Sequence, residues 1–89
     1  MTKCVQITTY GEVQNVGFRY NTQKIAKEYN ISGYVRNLVD GTVFIEAEGE
    51  ESDVEKFINW CKKGPERAIV EDIKVVSINS KGYSQFEIK

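Results

Sequence analysis

The chain contains no histidine. This removes the side chain most often used as a general base near neutral pH, and the commonest nitrogen ligand of transition metals. Its two cysteines, Cys4 and Cys61, are far apart and form no Cys-x-x-Cys pair. A zinc site is therefore not expected, and two free thiols are. No apolar run approaches the roughly 20 residues that a membrane helix needs. No apolar segment of a secretory signal follows Met1-Thr2-Lys3-Cys4. A cytoplasmic protein without a membrane partner is the expectation. Net charge is scarce as well, at −1, so no basic stripe invites a nucleic acid. The charge is unevenly spread: residues 1–45 carry five Lys/Arg against three Asp/Glu, and residues 46–89 carry seven against ten. The milder positive half suits a small anion.

With 89 residues the chain has the length of a single domain, 1–89. Repeats, linkers and low-complexity tracts are lacking. Residues 3–13 alternate Val5, Ile7 and Thr9 with Cys4, Gln6 and Thr8, as a β-strand does, and Gly11 near the end hints at a bulge or a close backbone approach. Over residues 18–29, Phe18, Thr22, Ile25, Ala26 and Tyr29 recur at helical spacing and define a buried stripe. A short strand follows at 34–38. Asp40-Gly41 marks a hairpin, and the returning strand at 42–48 ends at Gly49. Ser52-Asp53-Val54-Glu55 reads as a capping box for a second helix that runs to about Lys63, where Gly64-Pro65 stops it. Its stripe is Val54, Phe57, Ile58 and Cys61. Strands at 70–79 and, at an edge, 85–88 complete the pattern. The order β-α-β-β-α-β plus a short edge strand predicts an α+β, ferredoxin-like split βαβ sandwich, an antiparallel sheet with two helices on one face.

The segment "GEVQNVGFRYNTQKIAKEYN" carries the chemistry. It passes from strand to helix through Gln14-Asn15-Val16-Gly17, and Arg19 falls in the first helical turn. The first N–H groups of a helix have no intrahelical partner and carry partial positive charge. A tight turn just ahead can aim further N–H groups at the same point, making a cradle for phosphate or carboxylate. Arginine there opposes the helix dipole, unless an anion lies between, and its planar fork matches a tetrahedral oxyanion. The plainer alternative is an ordinary strand-to-helix turn with an exposed arginine. Neither a Walker loop nor a GxGxxG dinucleotide fingerprint is present.

"VQNVGFRY", followed by "GYVRNLVDGTV" and "GPERAIVEDIKV", resembles the acylphosphatase family over nearly the whole chain. The resemblance implies metal-independent hydrolysis of the carboxyl–phosphate bond of acyl phosphates, with no cofactor. Inorganic phosphate would be product and inhibitor. Independently of the resemblance, a monomer is the default expectation. By motif the resemblance implies Arg19 as the phosphate-binding arginine and Asn37 as the asparagine that orients water. The backbone N–H groups of Asn15, Val16, Gly17, Phe18 and Arg19 would form the cradle. Gln14 and Thr22 would support it. One departure stands out: Asn15 occupies a place where the family has glycine. If the loop needs positive φ there, asparagine is the next most tolerant residue.

This chemistry needs nothing the chain lacks. The leaving group is a carboxylate, which needs no protonation, and a loose phosphoryl-transfer transition state asks mainly for positioning and charge stabilisation. A second reading is an acylphosphatase-like module that binds phosphate or carbamoyl phosphate with little turnover. A third, an RNA-binding domain of the same topology, would need aromatic and basic residues on strands that read "CVQITTY" and "TVFIEAEG". Tyr20, Tyr29 and Tyr34 read as amphipathic packing residues, Trp60 as partly covered surface, and Glu46, Glu48, Glu50, Glu51 and Asp53 as a solvated region.

Overall fold

A computed structural model describes all 89 residues. The elements are β1 (Thr2–Glu12), α1 (Phe18–Glu28), β2 (Ser32–Asn37), β3 (Val43–Glu50), α2 (Glu51–Lys63), β4 (Ile69–Ile78) and β5 (Phe86–Ile88). They build one sheet in the order β4-β1-β3-β2-β5. The four longer strands pair antiparallel, with β1 between β3 and β4 and β3 between β1 and β2. Edge strand β5 joins β2 in parallel, so the sheet is mixed. The expected sandwich is present, and the bulge expected near Gly11 appears as a register shift between β1 and β4.

Period 2 in the strands and period 3.6 in the helices meet at one core. Val5, Ile7, Val35, Val43, Ile45 and Ala47 turn one face of the sheet towards the helices. The helices answer with Phe18 and Ala26 from α1 and with Val54, Phe57, Ile58 and Cys61 from α2. Burying each large side chain of this set stabilises the fold by about 1.5–3 kcal/mol. Phe57 ties the layers together, with its ring 6.4 Å from that of Trp60 and 6.1 Å from that of Phe86 on β5.

Helix α2 departs from the expected capping box. It starts at Glu51, and no side chain caps it. Strand β3 stays paired with β1 as far as Glu50 opposite Thr2, and the Glu51 N–H then donates to the Met1 carbonyl at 2.8 Å. A backbone acceptor thus satisfies an orphan donor of the first turn, and Ser52 lies inside the helix. Glu51 and Asp53 in the first turn and Lys62 and Lys63 in the last still follow the helix dipole. Strand β3 also runs through Gly49 where it was expected to end. A Cβ there would come within 2.9 Å of Ile31 Cδ1 and 3.2 Å of the Asn30 carbonyl oxygen, so glycine lets the α1–β2 turn lie against the strand.

The acidic region is not solvated throughout. Strands β4 and β5 occupy opposite edges, and the chain between them crosses the face that the helices leave open. Glu46 and Glu48 project from β3 onto that face and are only 3% and 7% exposed. The Glu48 carboxylate accepts hydrogen bonds from the backbone N–H groups of Lys81 (3.1 Å), Gly82 (3.1 Å) and Tyr83 (3.4 Å), and from the Ser80 hydroxyl. Glu46 accepts from the Gln6 amide at 2.8 Å and from the Tyr83 hydroxyl, with the Lys81 ammonium 3.8 Å away. Buried carboxylates are tolerable when satisfied in this way. The Ser80 hydroxyl and the backbone of the crossing segment hold the Glu48 carboxyl below its ordinary range, against the effect of burial. Burial pushes Glu46 up, but the bonds from Tyr83 and Gln6 and the Lys81 charge leave it below its ordinary range.

Cys4 lies on this open face and Cys61 on the helix face; both are buried, and both are free thiols, as expected. Burial raises the pKa of each thiol, and at Cys4 the charges of Glu48 and Glu46 raise it further.

Candidate active site

The loop from β1 into α1 is built on two left-handed residues. Asn15 has φ 63°, and Gly17, the N-cap of α1, has φ 76° and ψ 18°. Asparagine bears this conformation at modest cost and glycine at none. A Cβ at Gly17 would make only an ordinary 3.4 Å contact with the Asn21 side chain, so conformation and not space selects glycine there. The N–H groups of Asn15, Val16 and Gly17 donate to no backbone acceptor, and no side chain caps the helix. Asn21 makes the first bond back, from its N–H to the Gly17 carbonyl at 3.1 Å. Phe18, Arg19 and Tyr20 thus contribute the free donors of the first turn.

Side chains anchor this loop from behind. The Gln14 amide donates to the carbonyls of Leu38 (2.7 Å) and Thr42 (2.9 Å). The Asn21 amide donates to the Gly17 carbonyl at 2.8 Å, and the buried Thr22 hydroxyl to the Phe18 carbonyl at 2.7 Å. The Phe18 ring is buried edge-on against Trp60, with centroids 5.8 Å apart.

The β2–β3 hairpin brings in Asn37. The Asp40 carboxylate accepts from the Thr42 N–H (3.0 Å) and hydroxyl (2.7 Å), and these bonds, the hydroxyl first, hold its pKa below the usual carboxylate range. Leu38 N–H donates to the Thr42 carbonyl at 2.9 Å and closes the turn. Asn37, the last residue of β2, shares the helix-facing parity of buried Val35 and is half-buried.

Loop and hairpin enclose a pocket of about 230 Å³. Asn15, Gly17, Phe18, Arg19 and Asn37 line it, together with Val13, Tyr20 and Ile88. Arg19 is the only charged side chain in the lining, and its guanidinium makes no ion pair with any carboxylate. Five of the residues singled out in the sequence thus share one pocket. Val16 packs against the core beside it, and Gln14 and Thr22 act through their hydrogen bonds.

Three lining residues were not singled out in the sequence: Val13, read only as the end of the first strand, Tyr20 and Ile88. Tyr20, read as a packing residue, is 66% exposed. The signal was its place off the helical stripe, directly after Arg19. Ile88 comes from β5, and only the parallel pairing of Val35 with Ile88 brings it here, which no local pattern announces.

Fold and pocket together define a ferredoxin-like sandwich with a cleft lined by one arginine, one asparagine and loop residues whose N–H groups are free. Known proteins share this organisation. The family model for acylphosphatase matches residues 5–88. The acylphosphatase of Thermotoga petrophila is 45% identical over 87 residues, which cover 98% of this chain and 97% of that protein. Two solved acylphosphatase structures superpose closely. The one from Coxiella burnetii has a TM-score of 0.95 at 33% identity, with 99% of this chain and 93% of that one covered. The one from Bacillus subtilis has a TM-score of 0.94 at 38% identity, with 100% and 99% covered. The chain belongs to the acylphosphatase family.

Proposed function

We infer that this protein is an acylphosphatase, which hydrolyses the carboxyl–phosphate bond of acyl phosphates to a carboxylate and inorganic phosphate. The observation that carries the site assignment is a set of unpartnered donors, the Arg19 guanidinium and the N–H groups of Asn15 and Gly17, at a pocket shared with Asn37. In this reading the phosphoryl oxygens sit on those N–H groups and on the Arg19 fork. Charge that develops on them in the transition state is stabilised by donors already in place. The Asn37 amide holds a water in line. The water oxygen bonds to phosphorus, the bond from phosphorus to the acyl oxygen breaks, and its electron pair leaves with the carboxylate. A phosphate oxygen takes the water proton. Gln14 and Thr22 support the cradle, and neither cofactor nor metal enters. The same reading takes the enzyme as a cytoplasmic monomer.

The test is hydrolysis of benzoyl phosphate by the purified protein, with and without chelator. Turnover unchanged by chelator is the expected result. Tight phosphate binding without turnover would instead identify a binding module, and turnover abolished by chelator would contradict the metal-free mechanism.

A further inference from the structure

The pocket lining is of two kinds. Asn15, Gly17, Arg19 and Asn37 bring polar groups, and Tyr20 and Ile88 bring exposed apolar residues. Phe18 and Val13 also touch the pocket, but they are buried and committed to the core.

Tyr20 spends much apolar area in water. It is among the exposed large apolar residues, and its ring stacks on no other aromatic ring. Ile88 is 41% exposed, yet its backbone is firmly fixed. It pairs with Val35, and the next N–H, that of Lys89, donates to the Val35 carbonyl at 2.8 Å. Two residues earlier on the same face, Phe86 is buried against Phe57, and its carbonyl accepts from the Gln23 amide at 3.1 Å. Ile88 is therefore a rigid apolar member of the pocket lining. An aromatic and a branched aliphatic residue, both exposed and both lining the pocket that holds Arg19 and Asn37, offer a surface that a ligand would dry.

The charges narrow the choice of ligand. Arg19 is the only charged residue in the lining, and the phosphoryl group engages it. Lys89 points to the opposite face of the sheet, where its ammonium lies 4.7 Å from the centre of the Tyr34 ring. A second carboxylate on the acyl group would find no cation here, and an ammonium no carboxylate. We propose that Tyr20 and Ile88 form an acyl subsite that selects acyl phosphates with an uncharged apolar acyl group, aromatic or branched aliphatic. This rests on the hydrolytic reading above and adds the substrate class to it.

The experiment compares kcat/KM for benzoyl, acetyl and succinyl phosphate in the wild type, Tyr20→Ala, Ile88→Ala and the double variant. Ratios of two substrates within one preparation cancel any loss of folded protein. Wild type should prefer benzoyl over succinyl phosphate by about tenfold or more, in line with the discrimination a small apolar pocket achieves. The benzoyl-to-acetyl ratio should fall about tenfold in the double variant, and the inhibition constant of inorganic phosphate should stay the same. An unchanged ratio, or succinyl phosphate turned over as well as benzoyl phosphate, would overturn the subsite while leaving the hydrolase intact. Absence of turnover on all three substrates would overturn the hydrolytic reading itself.

Discussion

The side-chain amide nitrogen of Gln14 donates to two carbonyls, that of Leu38 at 2.7 Å and that of Thr42 at 2.9 Å. One side chain thereby joins the loop that carries the N–H donors to the hairpin that carries Asn37. The relative position of the proposed cradle and the proposed water-holding amide depends on this pair of bonds. Gln14→Met keeps the bulk and removes the donors. It should cost about 1–2 kcal/mol of stability. Its larger effect should be on kcat, which should fall about tenfold, while the inhibition constant of phosphate changes little, because a misplaced water slows chemistry more than it weakens anion binding. Equal losses in both would mean that Gln14 shapes the cradle alone.

Asn15 holds φ 63° at the pocket's edge, so its side chain pays a strain that glycine would not. The penalty for a side chain there is about 1 kcal/mol, and less for asparagine. Asn15→Gly should raise the melting temperature slightly, tighten phosphate binding and increase kcat/KM. Thermal denaturation and inhibition kinetics on the same preparation check this. A drop in activity would show that the Asn15 side chain contacts the ligand.

Glu48 gives the fold an acid-sensitive clamp. Its pKa, like that of Glu46, is lower in the folded protein than in an unfolded chain. A depressed carboxyl pKa contributes stability that is fully present above the unfolded value, about 4.3, and lost as pH falls through the folded value. The melting temperature should therefore hold near neutrality and drop below about pH 4.5. Glu48→Gln replaces one acceptor of the crossing segment with an amide. It should cost about 1–3 kcal/mol at pH 7 and flatten the acid limb. An acid limb as steep as the wild type's would move the titration elsewhere.

Cys4 and Cys61 are each buried, on opposite faces of the sheet. A thiol reagent at neutral pH should label neither in the native protein and both after denaturation without reductant. Only one labelled thiol, or none, would indicate an oxidised pair.

Much of this architecture was written locally. The stripe of Val54, Phe57, Ile58 and Cys61 and the Asp40-Gly41 turn each depend on neighbours within a few residues, and each appears in the structure. The convergence of Arg19 and Asn37 on one pocket was legible through the paired motifs. What stayed hidden depends on contacts distant in sequence. Glu46 and Glu48 alternate with Ile45 and Ala47 just as solvent-facing residues do, and only the path of the chain from β4 to β5 buries them. The capping box at Ser52 gave way to the Met1 carbonyl, which a strand from the other end of the chain delivers. Ile88 reached the pocket through a parallel pairing that follows from sheet order and not from its own short strand.

Arg19 offers the most direct measurement of the central assignment. Steady-state hydrolysis of benzoyl phosphate and competitive inhibition by inorganic phosphate should be compared in wild type, Arg19→Ala and Arg19→Lys. Arg19 is exposed and unpaired, so both variants should keep the wild-type melting temperature. With the fold intact, Arg19→Ala should lose about 10²–10³-fold in kcat/KM and its inhibition by phosphate, and Arg19→Lys should recover little, because a point charge cannot replace the planar fork. An alanine variant that still turns over substrate near the wild-type rate, or still binds phosphate, would contradict the assignment of this pocket as the phosphoryl site.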